Sequence, residues 1–376
     1  MDPVATTALR AFVGVLGALL VGTTFVSAVK TVVVPRGGSN RLSRLVFALN
    51  RTMFDFAAHP KRPFVERDRI LSLMAPLGLL MLPFAWSTCM TLGFAGVHWG
   101  VGGGSIRESF LRSGSSWFTL GTASSRALPL AALSFFQAAM GILLTALLVS
   151  YLPSIYGAYQ RRETLVGLLE GRAGLPPSPT EMLTRYQVIG ALDVLDEDIF
   201  EKWEQWFIEV EESHLSFGAL SFFRSPRKER SWITAAGCVL DVGSIKLSCI
   251  DIPFSGKTAL CIRTGFLALR RLAEYFGTPY DRDPSPTDAI SVTRREFDLM
   301  LVELVAAGIP LKTDREQMWA DFVGWRVNYD KALVGLAKLV VAPDGRWSTD
   351  RDGDRYVSRV GLRHTGSRVH RGGRIR

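Results

Sequence analysis

Charge is what the first half of this chain mostly lacks. Residues 70–97 carry no charged side chain, and neither do residues 127–160. Each run is long enough to cross the ~30 Å hydrocarbon layer of a bilayer as a helix. Cysteine is scarce too. Cys89, Cys238, Cys249 and Cys261 form no C-x-x-C pair, so zinc is not indicated, and free thiols suit a reducing cytoplasm. The five histidines, His59, His98, His214, His364 and His370, lack metal-ligand spacing. No nucleophile–base set stands out, and no alternating apolar and polar run marks a strand. Gly256-Lys257-Thr258 ends like a phosphate-binding loop, but Asp251 stands where the motif needs its first glycine. The chain is therefore expected not to be an enzyme and to hold no cofactor. His214, beside Glu211, Glu212 and Ser213, reads as a solvated helix-end residue.

A third apolar run, 11–29, ends at Lys30. It is longer than the apolar part of a signal peptide and leads into a basic loop, so a membrane helix is the better reading. That loop, 36–69, carries Arg36, Arg41, Arg44, Arg51, Lys61, Arg62, Arg67 and Arg69 against Asp55, Glu66 and Asp68. By the positive-inside rule it is cytoplasmic. The N-terminus is then outside, the glycine-rich turn at 100–104 faces outside, and the last run returns to the cytoplasm at Arg161 and Arg162. The expected location is the cell membrane, multi-pass, with a cytoplasmic C-terminal domain.

Within the loop, Leu42, Leu45, Val46, Leu49 and Met53 recur at helical spacing, with Arg41, Arg44 and Arg51 on the polar side. This predicts a helix lying in the inner membrane surface, where anionic headgroups attract arginine. After the last membrane run, 171–179 (GRAGLPPSP) is a clear break. Helices are predicted at 180–192, then through a stretch in which Val194, Ile199, Trp203, Trp206, Phe207 and Val210 share an apolar face, and at 231–249, 259–276, 294–307 and 315–339. Trp203 and Trp206 read as core. Residues 344–376 hold nine Arg and four Asp, the composition of a basic, disordered tail.

Between the two charge-free runs lies 105–126, SIRESFLRSGSSWFTLGTASSR, too polar for a third full crossing. Such a segment at membrane depth needs protein or a water-filled cavity around its backbone. Ser105 and Glu108 have the spacing of a capping box, which starts a helix running to about Phe118. Its partially negative C-terminal end would then point to the membrane centre and favour a cation. The aromatic pair Trp117-Phe118, then Thr119-Leu120-Gly121-Thr122, then a long apolar helix carrying Gly141, resembles the pore module of the potassium-channel superfamily over residues 70–162. The resemblance implies a filter of main-chain carbonyls at Thr119, Leu120, Gly121 and Thr122. It implies pore-helix support by Glu108, Trp117 and Phe118, and an inner helix that flexes at Gly141 and bends at Pro153. The family's Tyr and second Gly are Thr122 and Ala123 here, and Arg126 stands at the outer mouth in place of an acid.

The expected fold is an all-α membrane protein of three transmembrane helices with a re-entrant pore loop and a mostly α-helical cytoplasmic domain. Its divisions are 1–35, 36–69, 70–162, 163–343 and 344–376. The expected function is conduction of monovalent cations, with potassium implied by the resemblance, through a homotetramer. Its further partners are membrane lipids and a ligand of the cytoplasmic tail that the sequence does not name; nucleic acid is not among them. The competing reading is a non-conducting, membrane-anchored sensor or scaffold with a partner-binding tail.

Overall fold

The computed structural model describes residues 3–33, 41–102 and 104–350. Every regular element among them is helical, and one isolated antiparallel bridge, Ile250 to Leu311, is the β structure they contain. Six helices come first: α1 (Pro3–Val32), α2 (Arg41–Ala57), α3 (Phe64–Leu71), α4 (Met74–Gly102), α5 (Ile106–Trp117) and α6 (Leu128–Ala173). Seven more form a helical body: α7 (Pro179–Val188), α8 (Glu201–Ser216), α9 (Trp232–Cys249), α10 (Gly256–Phe276), α11 (Arg294–Ala306), α12 (Arg315–Arg326) and α13 (Asp330–Leu339).

Four helical stretches are long and apolar enough to cross a membrane: Val4–Val32, Phe64–Gly102, Leu128–Ala173 and Trp232–Cys249. This makes the chain compatible with a multi-pass membrane protein. In the first three, at most 39% of the most apolar window is covered by protein; in the fourth, α9, all of it is. A helix so enclosed has no face left for lipid, and α9 is the centre of the helical body.

α1 and α4 approach closely because glycines line both. A Cβ on Gly17 would lie 2.4 Å from the Gly93 carbonyl oxygen, and one on Gly100 would lie 3.0 Å from the Gly14 Cα. Where lipid is as apolar as the side chains, such backbone approach supplies the packing that holds helices together. α2 turns Val46, Asn50 and Phe54 inward, and Asn50 donates to the Met74 carbonyl at 2.8 Å. Leu45, Leu49, Met53 and Phe56 face outward. Arg51 reaches the Leu339 carbonyl of the helical body. The amphipathic helix therefore packs on α4 through Val46, Asn50 and Phe54, touches the body through Arg51, and leaves Leu45, Leu49, Met53 and Phe56 open.

The body is organised by caps and by aromatic burial. Ser178, Ser255, Thr293 and Asp314 each accept a backbone N–H from the first turn that follows them. Trp203, Trp206 and Phe207 are buried in the core where α8 packs on α10 and α6, as their spacing predicts. Arg326, fully enclosed, donates to Asp241 and, at 2.8 Å, to Asp330, while the Tyr329 hydroxyl donates to Asp241 at 2.8 Å. Burial pushes the Asp241 carboxyl up, against the pull of the Arg326 charge.

Several sequence expectations change. The helix expected over 315–339 is two, because Tyr329 turns into the core between α12 and α13. The helix expected to reach 192 stops at Val188, with Gly190 at φ +67°, a conformation that ends a helix at little cost for glycine. The charge-free run 127–160 is part of one unbroken helix of 46 residues, about 69 Å, which passes Arg161 and Arg162 into the body and ends at Ala173, within the expected break at 171–179. His214 is not solvated but fully buried, because α8 packs its last turn against α6. Trp347, in the segment whose composition suggests a basic tail, is buried in the core. The expectation of disorder beyond residue 350 lies outside the described residues.

Candidate pore-loop site

α5 starts with the capping box its sequence predicts. The Ser105 hydroxyl accepts from the Glu108 backbone N–H at 3.1 Å, and the Glu108 carboxylate accepts from the Ser105 N–H at 3.3 Å. The helix is 12 residues long, about 18 Å, well short of a bilayer core. It lies against both α4 and α6.

A buried polar set fastens it there. The Ser113 hydroxyl donates to the Thr91 carbonyl of α4 at 2.7 Å. Gln137 of α6 donates from Nε2 to the Ser113 carbonyl at 2.9 Å and to its hydroxyl oxygen at 2.8 Å. His98 of α4 places Nε2 3.3 Å from Gln137 Oε1. His98, Ser113 and Gln137 are all buried, so three helices are joined by hydrogen bonds that water does not reach. The sequence reading missed this set. Gln137, deep inside a charge-free run, was the signal available for it.

The C-terminal end of α5 is where the expected filter begins. Trp117 is buried and Phe118 is exposed. Gly141 of α6 sits directly over the Trp117 carbonyl; a Cβ there would lie 2.7 Å from that oxygen. The chain then reverses: Leu120 N–H donates to the Ser115 carbonyl at 2.8 Å, and Ala123 N–H donates to the Ser115 hydroxyl at 3.0 Å. Thr119 has φ +54° and Gly121 φ +68°, so two of the four expected filter residues adopt the left-handed region. Thr119, Leu120, Gly121, Thr122 and Arg126 are exposed. Glu108, Trp117 and Phe118 thus fall at the start and end of α5, and the filter residues follow it in one non-helical return to α6. Gly141 is brought to that return as a packing position. Pro153 is not: it lies about 18 Å further along α6, on an exposed face of a helix that continues through it.

The second constellation is the joint between α6 and the body. Arg162, buried, donates to the carbonyls of Leu220 and Phe223, both at 2.9 Å, and to Glu163 at 2.8 Å. Its Nη1 is 3.2 Å from His214 Nε2. Arg224, in the same connecting segment, pairs with Asp68 of α3 at 3.1 Å and donates to the Val341 carbonyl at 2.8 Å. Burial, then the neighbouring Arg162 charge, holds the His214 imidazole well below its usual range. Among the described residues no three His, Cys, Asp or Glu gather as a metal site would require.

Comparison with protein-family models, with curated proteins and with solved structures gives no match.

Proposed function

We propose that the chain forms a membrane channel for monovalent cations, assembled from four copies around the return at residues 118–127. The observation that carries this reading is α5: a capped helix too short to span, held between two helices long enough to do so, and followed by an exposed non-helical return. Irregular backbone at membrane depth needs partners that one chain does not provide, and further copies supply them. In the proposed pore, carbonyls of Thr119 to Thr122 line the axis, and the negative end of α5 favours a cation there. α1, α4 and α6 span, α9 stays within the cytoplasmic body, and the N-terminus is outside. The exposed stripe of α2 lies in the inner headgroup layer, with its arginines near anionic lipid. Potassium is the first ion to test, and the substitutions at Thr122 and Ala123 argue for weak discrimination against sodium. The inner helix would gate through its joint with the body at Arg162.

The purified protein in planar bilayers under a potassium gradient is expected to carry single-channel currents, and native mass spectrometry in detergent is expected to give four copies. An impermeant thiol reagent applied to intact cells should reach Gly102→Cys but not Lys61→Cys or Gly171→Cys in a cysteine-free background. A stable monomer without current would overturn the reading. It would leave the second one, a non-conducting membrane-anchored sensor or scaffold, which Arg126 favours: four guanidinium groups around one mouth repel cations.

A further inference from the structure

We propose that the cleft between α1 and α6 binds a phospholipid with a primary-amine headgroup, its acyl chain beside α1 in the membrane and its phosphate and ammonium at the base. The inference requires α1 and α6 to span the membrane, and it is independent of whether the pore loop conducts.

Because α1 leans on α4 through glycines, its side toward α6 is left open. A cavity of about 610 Å³ lies there, walled by Gly22 and Phe25 of α1, Phe94 of α4, and Phe136 and Leu143 of α6. Every wall is apolar, so the space suits hydrocarbon and offers water no partners. At Gly22 a Cβ would meet nothing within 4 Å.

Six residues beyond Phe25, about 9 Å along α1, a second cavity of about 340 Å³ opens between the same two helices and α8. Thr31 and Val32 form one wall, Arg161 and Phe217 another, and Glu209 and Glu212 a third. Arg161 Nε is 3.8 Å from Glu209 Oε2, with side chains 64% and 41% exposed. A pair that long and that wet is weak, so both groups are free to exchange partners. The guanidinium then takes a phosphate, for which its planar fork is suited. The carboxylate takes an ammonium able to donate hydrogen bonds, which ethanolamine has and choline lacks. Two carboxylates beside one arginine disfavour a headgroup whose only charge is its phosphate.

The test is native mass spectrometry of the delipidated full chain, titrated with phosphatidylethanolamine, phosphatidylcholine or phosphatidylglycerol of identical acyl chains. The ethanolamine lipid is expected to bind about tenfold more tightly than either other. Arg161→Ala should weaken it about tenfold, and Glu209→Gln should abolish the preference over choline. Gly22→Leu, which fills the apolar cavity, should weaken all three lipids, with Gly22→Ala as its control for folding. Soluble phosphoethanolamine should fail to compete. Equal affinity for the three lipids overturns the proposal, as does wild-type binding by Arg161→Ala or competition by the headgroup alone. Arg161 is exposed and Glu209 only partly buried, so the two charged positions decide the matter even where Gly22→Leu does not fold. Lipid preference in a protein without current leaves this inference standing and removes only the channel.

Discussion

Nη1 of Arg162 lies 3.2 Å from Nε2 of His214, with both side chains enclosed where α6 enters the helical body. Arginine keeps its charge and has only donors, so His214 Nε2 must accept, and the imidazole proton sits on Nδ1, facing the Ser213 hydroxyl at 3.1 Å. Protonating this histidine would set two cations face to face in a site enclosed from solvent.

The consequence for stability has a definite sign. The folded-state value of His214 is depressed below that of the unfolded chain. Stability is therefore full above about pH 6.5 and is lost as pH falls below it, by at most about 1.4 kcal/mol per pH unit. His214→Gln keeps an acceptor for Arg162 and cannot protonate. Thermal melts in detergent between pH 7.5 and 5 should show a shallower acid loss in this variant than in wild type. Identical slopes would mean that His214 does not titrate on unfolding.

Gly17 and Gly22 lie on the same helix and should respond in opposite ways to the same methyl group. At Gly17 the new atom would meet the Gly93 carbonyl at 2.4 Å; at Gly22 it would meet nothing within 4 Å. Gly17→Ala is expected to cost about 1–3 kcal/mol through overpacking. Gly22→Ala should be neutral or slightly stabilising, since alanine favours the helix. Melting temperatures of the two variants in one detergent decide this, and equal values would mean α1 and α4 do not pack as described.

Gln137→Leu keeps the volume on α6 but removes both donors to Ser113 and the acceptor facing His98. The expected cost is about 1–2 kcal/mol, the upper range for polar contacts between membrane helices. The loosening should be local: proteolysis or cysteine labelling in residues 118–126 should rise while the melting of the helical body stays put. Ser113→Ala should act in the same direction, because Ser113 is the member of the set that touches both α4 and α6.

Much of this architecture was legible in the residues, and the reasons are local. Charge-free runs marked α1, α4 and α6, Ser105 with Glu108 marked the start of α5, and the spacing of Trp203, Trp206 and Phe207 marked a buried face. What escaped depends on distance in space. Arg162 reads as half of a basic pair marking the return to the cytoplasm until α8 and the segment at 217–224 close over it. His214 reads as solvated until α6 passes beside it. Gly141 reads as a hinge, whereas its bare Cα also admits the Trp117 carbonyl, a contact no local pattern encodes. Tyr329 breaks a helix that propensity alone would continue, because Asp241, 88 positions earlier, offers its hydroxyl a buried partner.

The proposed filter gives the most exposed test. Gly121 has φ +68° with open space around its α-carbon, so a side chain there meets conformational strain without collision. Valine is β-branched and resists the left-handed region, at a cost of about 1–3 kcal/mol. Gly121→Val is therefore expected to abolish current while native mass spectrometry still reports the wild-type assembly, since α4, α5 and α6 keep their contacts. Gly121→Ala should be milder. Arg126, exposed after the return, should act through charge alone: Arg126→Asp replaces repulsion of cations by attraction and is expected to raise conductance, most at low ionic strength, where screening is weakest. Current through wild type that is unchanged by Gly121→Val would move the permeation path away from residues 119–122. Absence of current in both wild type and Arg126→Asp would end the channel reading and assign the capped, glycine-seated α5 to the architecture of a membrane anchor.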